Sequence, residues 1–233
     1  MLKNILKIVL MFFITINVIK AQNTYVISPE KSTIKWTGEK VTGKHWGYAP
    51  IDTGYVEVVN GRLKSGQFTI DMTNLTVEDL KDPEQNRKLT GHLKSDDFFS
   101  VENYNEAYLR INKALINAFA GEGEPNYTLS GELTIKGNTN PITFPAVVKI
   151  GDNKLQGKAN FVFDRSKYNV KFRSKSFFDD LGDKMIYNDV PLEINIVGKK
   201  VQSESSMEEI PDSLKAKEET KAVPDTTSDK NEK

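Results

Sequence analysis

The sequence predicts an all-β fold, an antiparallel barrel or sandwich, on three observations. Apolar and polar residues alternate with period two along most of the chain. Turn-forming pairs such as Asn60-Gly61 and Ser65-Gly66 interrupt the alternation at short intervals. No helical periodicity recurs between the alternating runs, as it would in a protein with parallel strands and crossover helices. Short strands with one buried face and tight connections produce this combination.

The candidate strands follow from the alternation itself. The clearest runs are residues 33–37, 67–72, 127–135, 158–163 and 192–196. Further candidates are residues 54–59, 107–111, 141–150 and 167–173.

One region departs from the period-two pattern. In residues 75–93, Asp82 followed by Pro83 is typical of a helix N-cap and first helical position. Leu89 and Leu93 are four residues apart and would share one helical face. We therefore expect a short helical segment, of one or two helices, that crosses one end of the barrel.

The two ends of the chain differ in composition from its middle. In residues 1–21, Lys3 and Lys7 precede an apolar run, which is the layout of a cleaved signal peptide. This predicts a periplasmic or secreted protein without a stable membrane span after cleavage; an uncleaved anchor is the alternative. Residues 201–233 contain nine Asp or Glu, five Lys and no aromatic residue, so we expect a disordered charged tail. The folded domain is then residues 22–200.

Composition excludes several classes of function. The 32 basic and 32 acidic residues give a net charge of zero, without the basic excess that nucleic-acid binding requires. The absence of Cys excludes disulfides, thiolate catalysis and Cys-ligated metal clusters. Two His leave little room for a multi-His metal centre, and we expect neither a metal nor a cofactor.

Several motifs, in order along the chain, resemble one family. Residues 88–104 (KLTGHLKSDDFFSVENY) are similar to the signature of the YceI-like family of secreted barrels. Residues 131–137 and 164–168 match two further stretches of that family, and residues 36–47 resemble a variant of its N-terminal hairpin. The resemblance spans about residues 24–198.

This resemblance implies a single antiparallel eight-stranded lipocalin-like barrel with a short helical segment at one end. It further implies non-enzymatic binding or carriage of a long isoprenoid-type lipid, such as a polyprenyl phosphate or a quinone, inside the barrel. Alternation supplies the side chains that would face such a ligand: Ile34, Trp36, Phe68, Ile70, Leu109, Ile111, Leu129, Leu133, Ile135, Phe161, Phe163 and Ile194, with Leu192 and Ile196 at the same parity. None of these is ionisable, so the lining favours hydrocarbon over acid–base chemistry.

The same side chains would also be apolar in a packed barrel that binds nothing. Such a protein would be a structural or interaction module that acts through its loops or its acidic tail. An enzyme would need an ionisable pair inside the barrel, and alternation places none there. Gly131, Gly157 and Ala159 have inward parity and would either leave room for a ligand or relieve strain where strands coil. Whether the chain forms a homodimer is left open by the sequence.

His92, Phe98 and Phe99 are the candidates for the rim of the barrel and for contact with a lipid head group. The alternative for His92 is a helix-terminal side chain that bonds to backbone carbonyls. We expect Asp96 and Asp97 to cap a turn rather than to act in catalysis. His45 is expected at a hairpin tip, as a solvent or rim residue.

Overall fold

The computed structural model describes residues 22–201. Its strands and its α-helix are β1 (Gln22–Ile27), β2 (Thr33–Lys40), β3 (Gly43–Tyr48), β4 (Ile51–Val59), β5 (Arg62–Asp71), α1 (Pro83–Lys94), β6 (Glu106–Ile116), β7 (Tyr127–Ile135), β8 (Asn138–Ile150), β9 (Lys154–Asp164) and β10 (Asp189–Lys200). The predicted signal peptide and the predicted tail, except Val201, lie outside the described residues.

The strands form a closed antiparallel barrel. Its ring runs β1-β4-β5-β6-β7-β8-β9-β10 and closes where β1 pairs with β10. β2 pairs with the same edge of β10 beyond a turn at Pro29–Lys31, so β1 and β2 act as one bent strand. β3 forms a hairpin with β2. The all-β, eight-stranded barrel with one short helix is thus confirmed.

The helix begins where the sequence predicts. The Asp82 carboxylate accepts hydrogen bonds from the backbone N–H groups of Glu84 and Gln85 at 3.0 and 2.8 Å, and Pro83 occupies the first turn. Leu93 is buried and Leu89 is half-buried against the core. This apolar face lies on one end of the barrel, while the polar face meets solvent.

One predicted strand, residues 167–173, is wrong. The segment is a 3-10 turn, Arg165–Tyr168, followed by further turns. Tyr168, Val170 and Phe172 do alternate with polar residues, but Asn169 has φ 60° and breaks the extended backbone. The side chains of Tyr168 and Val170 are instead buried beneath the helix end of the barrel.

Within residues 22–201, no helix has the length and apolar character needed to cross a bilayer.

Candidate functional site

The barrel interior contains two apolar chambers. The turn-end chamber lies near the β4–β5 and β8–β9 turns, and the helix-end chamber lies beneath α1. The cavity volume, meaning the space that the centre of a water-sized molecule can occupy, is about 70 Å³ in the first and about 110 Å³ in the second. The chambers share four lining residues: Ile34, Ile70, Leu109 and Ile194. They therefore lie in series along the barrel, separated by an aliphatic waist.

All twelve side chains proposed by alternation line this interior. Four form the waist, and the turn-end chamber adds Phe68, Ile111 and Leu129. The helix-end chamber adds Trp36, Leu133, Ile135, Phe161 and Phe163. Leu192 and Ile196 also line the interior. That these residues contact a ligand stays a prediction.

Strand β8 contributes lining residues that the alternation of apolar and polar residues does not select. Phe144, Ala146 and Val148 face the turn-end chamber. Alternation does not distinguish the two faces of this strand because Pro145 and Val147, on the outer face, are apolar as well. The signal that could have selected them is register with β7, which pairs Leu129 with Phe144.

The hydrogen-bonded pairing of β8 with β9 covers only part of their length. It ends at Ala146 opposite Ala159, and the next inward residues, Phe144 and Phe161, stack with ring centroids 4.3 Å apart. Pro145 directly precedes Ala146 in β8 and has no N–H to donate, which explains why the pairing stops there. The two rings close the barrel wall in place of backbone hydrogen bonds.

The small inward residues separate into two kinds. A Cβ at Gly131 would lie 1.8 Å from the Arg110 carbonyl oxygen, where β6 bulges toward β7, so this glycine permits a close backbone approach. A Cβ at Gly157 would meet only Ile196 Cβ, at 3.7 Å, an ordinary contact. Gly157 and Ala159 line the turn-end chamber and leave it open. Gly131 thus relieves strain between two strands, whereas Gly157 and Ala159 leave room in the interior.

The helix end is closed by α1 and by the turn that follows it. Leu93, Phe98 and Phe99 line the helix-end chamber, which places two of the three predicted rim residues at the interior. Lys136 Nζ donates hydrogen bonds to the carbonyls of Asp96 and Phe98, both at 2.8 Å, and so fixes the turn to β7. Burial lowers the pKa of Lys136, although the nearby Asp carboxylates oppose this shift.

His92 packs behind this wall. Its ring lies 4.4 Å from Phe172 and 5.9 Å from Phe98, centroid to centroid. The alternative for His92, a bond from its ring to the last helical carbonyls, is wrong: within residues 22–201 the ring makes no such bond. The N–H of Ser95 donates to the carbonyls of Gly91 and His92 instead, at 3.0 and 3.2 Å. Among the described residues, His92 Nε2 is buried without a hydrogen-bond partner. A head-group role for His92 stays a prediction.

Asp96 has the structural role expected of it. Its carboxylate accepts hydrogen bonds from the Ser100 hydroxyl and from the Asn103 amide, the latter at 3.3 Å. These bonds cap the turn after α1.

The expectation of an interior without ionisable groups is wrong at Arg165. This side chain is only 1% exposed and lines the helix-end chamber. It lies in a 3-10 turn rather than a strand, so alternation does not detect it. Its guanidinium donates to the carbonyls of Val170, Ile186 and Tyr187 at 2.8, 3.0 and 3.0 Å, and lies 5.5 Å from the Phe98 ring centroid.

The electrostatics of Arg165 indicate a structural clamp. Burial lowers the pKa of Arg165 to about 10, while Asp164 acts in the opposite direction. The guanidinium is therefore still protonated at neutral pH and cannot accept a proton. Its three carbonyl partners tie the segment between β9 and β10 to the barrel.

His45 lies in β3 rather than at the hairpin tip, and it has a carboxylate partner. Its Nδ1 is 2.8 Å from Asp79 Oδ2, and the Trp46 N–H donates to Asp79 Oδ1 at 2.9 Å. Burial acts to raise the pKa of Asp79, but the bonds from Trp46 and His45 and the His45 charge outweigh it, so the pKa is lowered. This contact secures the loop before α1 to the β2–β3 hairpin.

Trp36 carries a buried donor at the helix-end chamber. Among the described residues, its Nε1–H has no hydrogen-bond partner. Within the same part of the chain, no cluster of three or more His, Asp or Glu side chains is placed to hold a metal ion.

Comparison with known proteins identifies the family. A model of the YceI-like domain matches residues 25–198. No curated protein matches the chain. Among solved structures, Burkholderia cenocepacia BcnA is 20% identical with a TM-score of 0.57, and the alignment covers 73% of this chain and 98% of BcnA. A polyisoprenoid-binding domain from Saccharophagus degradans, implicated in plant cell wall breakdown, is 15% identical with a TM-score of 0.54, over 76% of this chain and 98% of that domain. Both likenesses concern the fold, and the family match over most of the chain places this protein in the YceI-like family.

Proposed function

We propose that this protein binds or carries a long apolar lipid of the isoprenoid type along the axis of its barrel, without converting it chemically. The observation that carries the proposal is the pair of apolar chambers in series. A packed barrel acting only through its loops or its tail would fill this space with side chains, because protein interiors are close-packed.

The shape and chemistry of the interior favour a chain-like hydrocarbon. Transfer of apolar surface from water into such a lining stabilises the complex by about 25 cal/mol per Å². A compact ligand would fill one chamber, whereas a long chain that passes the waist contacts both. A polyprenyl phosphate and a quinone with a long tail both meet this requirement.

The Saccharophagus degradans domain supports the ligand class. That protein is described as polyisoprenoid-binding, and it shares the barrel fold with this chain. We extend its ligand class to this protein because the interior described above is suited to the same kind of chain.

The polar end of the lipid is proposed to lie in or near the helix-end chamber. The unpartnered indole N–H of Trp36 offers a hydrogen bond to an acceptor there, such as a quinone or phosphate oxygen. In the turn-end chamber, by contrast, the inward positions of the strands supply apolar side chains and glycine.

A role without catalysis fits the ionisable groups in and next to the helix-end chamber. Arg165 holds its proton at neutral pH and donates to three carbonyls. His92 faces the aromatic rings of Phe98 and Phe172 rather than a carboxylate. Neither forms the acid–base pair that a reaction on the lipid would require.

The compartment is proposed to be the periplasm or the exterior of the cell. The support is the signal-peptide layout of residues 1–21. N-terminal sequencing of the protein from its host should give a chain that begins close to Gln22; a chain in the cytoplasm that still begins at Met1 contradicts this.

Native mass spectrometry of protein purified from its own host tests the function. The proposal predicts an added mass that disappears on organic extraction and is recovered as an isoprenoid lipid. Protein that carries no apolar molecule, and that takes up none when a polyprenyl phosphate or a long-tailed quinone is supplied in detergent, contradicts it.

A further inference from the structure

Among the exposed aromatic side chains at the helix end of the barrel, three lie on one segment of the chain. Phe177, Phe178 and Tyr187 are 43%, 49% and 44% exposed. All three belong to residues 171–187, the irregular segment that precedes β10. We call these three side chains the aromatic patch. Exposed large apolar side chains grouped on one segment are typical of a binding surface.

The segment that carries the patch is tied to the barrel. The N–H groups of Phe177 and Phe178 donate to the carbonyl of Ser174, at 3.0 and 3.1 Å, and Ser174 is fully buried. Arg165 holds the carbonyls of Ile186 and Tyr187 at the other end. The rings are therefore presented by fixed turns, which lowers the entropy cost of contact with a partner.

One cation contacts the aromatic patch, and the segment has a small positive net charge. Lys171 Nζ lies 5.2 Å from the centroid of the Phe177 ring. The segment carries four cations, Lys171, Arg173, Lys175 and Lys184, against three carboxylates, Asp179, Asp180 and Asp183. Aromatic rings beside Lys and Arg are typical of surfaces that insert at the boundary between lipid head groups and acyl chains.

One side chain of the aromatic patch also lines the interior. Tyr187 is at once an exposed residue and a lining residue of the helix-end chamber. Its N–H donates to the Glu39 carbonyl at 2.9 Å, which fixes this position against the end of β2. A surface that contacts Tyr187 therefore lies at the mouth of the helix-end chamber.

We propose that the aromatic patch docks this protein on the surface of a lipid bilayer and so places the mouth of the helix-end chamber against the source or destination of its lipid. The inference rests on the proposed function, because a long isoprenoid chain resides in membranes rather than in free solution. Phe177 and Phe178 would insert among the head groups, while the flanking Lys and Arg side chains meet lipid phosphates.

A second apolar group lies at the opposite end of the barrel. Leu115, Ile116 and Phe119 are exposed there, Phe119 at 98%. The loop 117–126 that carries Phe119 contains Glu122 and Glu124 and no cation, so it would be repelled by anionic lipid. It also lies far from the helix-end mouth, at the other end of β6. Phe119 therefore provides a matched control.

The test is flotation of protein with vesicles of phosphatidylcholine alone and of an equimolar mixture with phosphatidylglycerol. The protein is the chain from Gln22 onward, where the first barrel strand begins, so that the apolar residues 1–21 do not bind vesicles themselves. The variants are the double substitution Phe177→Ser/Phe178→Ser and the control Phe119→Ser. Thermal melts verify that each variant is folded.

We expect the original protein to bind both vesicles, and the mixed vesicles more tightly. The double variant should bind at least about tenfold more weakly, because two half-exposed rings lose their transfer into the interface. The control should change binding by less than about twofold. Three results overturn the proposal: no binding by the original protein, no loss in the double variant, or an equal loss in the control.

A separate measurement distinguishes this proposal from the proposed function. Each protein is loaded with a polyprenyl phosphate from detergent micelles, and its mass is then measured. A double variant that loads normally from micelles but not from vesicles supports docking by the patch. If no protein takes up lipid from micelles, the proposed function fails, and flotation still decides whether the patch binds a bilayer.

Discussion

Gly157 offers the sharpest test of whether the barrel interior is a cavity. It lies on β9 with its Cα facing the turn-end chamber, and a Cβ there would contact only Ile196 Cβ, at 3.7 Å. The substitution Gly157→Leu places a large apolar side chain in the chamber without a collision at its first atom.

The sign of the stability change separates a cavity from a packed core. In an open chamber the new side chain buries apolar surface, worth about 1.5–3 kcal/mol for a fully buried Leu. Removal of a glycine from a strand interior adds roughly 0.5–1 kcal/mol. In a close-packed core the same insertion costs typically about 1–3 kcal/mol. We therefore expect the unfolding free energy of delipidated Gly157→Leu to be unchanged or raised.

Lipid binding by Gly157→Leu should weaken, even though the delipidated protein is no less stable. The added side chain occupies space that the lipid chain needs, so the stabilisation of the protein by lipid should fall. That stabilisation is about 2.7 kcal/mol when lipid is present at a hundred times its Kd.

Urea unfolding of delipidated and lipid-loaded protein measures both effects. Gln156→Leu is the matched control, since it adds the same side chain on the exposed face of the same strand. It should leave the lipid-dependent stabilisation intact. If Gly157→Leu destabilises the delipidated protein by more than about 1 kcal/mol, and the parent gains nothing from lipid, the interior is a packed core.

Four further predictions concern Gly131, Arg165, Asp79 and the C-terminal residues 202–233. Gly131→Ala should destabilise the fold by about 2 kcal/mol or more in urea, because its Cβ meets a backbone oxygen at 1.8 Å; a neutral change would refute the close approach. Arg165→Met should lower the free energy of unfolding by about 3 kcal/mol, because the three hydrogen bonds of the buried guanidinium are lost. A change below about 1 kcal/mol would contradict a structural role for Arg165. The pKa of Asp79 in the folded protein lies below its ordinary value. The Asp79 carboxylate therefore stabilises the fold above pH about 4, and this contribution is lost as the pH falls further. Asp79→Asn should therefore be less stable than the parent by about 1 kcal/mol at pH 7 and equal to it in strong acid, whereas a constant difference in urea melts at every pH would contradict this. Removal of residues 202–233 should leave the Tm unchanged, because that segment has no aromatic residue to bury; a loss of several degrees would show that it packs on the barrel.

The barrel could be predicted because local and long-range signals agree in it. Strands such as β7 alternate without exception, and β9 pairs with β10 along its full length. The helix was equally accessible, since Asp82 and Pro83 mark its start in the sequence. For these elements, the pattern that buries one face also determines the register.

The sequence was less informative where tertiary contacts outweigh the local pattern. Residues 167–173 alternate like a strand, yet Asn169 adopts a left-handed conformation and the apolar side chains fill the barrel end. The alternation pattern does not predict that Arg165 is buried. Burial of this cation is tolerated because the tertiary structure places three backbone carbonyls around its guanidinium. Gly131 and Gly157 have the same parity, and only the bulge of β6 distinguishes them.

A crystal structure of the protein loaded with a polyprenyl phosphate would show directly whether the barrel holds a lipid along its axis. We expect continuous density for one chain that passes the waist between Ile34 and Leu109, with its tail in the turn-end chamber and its polar end near Trp36. A barrel without density in the interior, or lipid bound only on the outer surface, would contradict it.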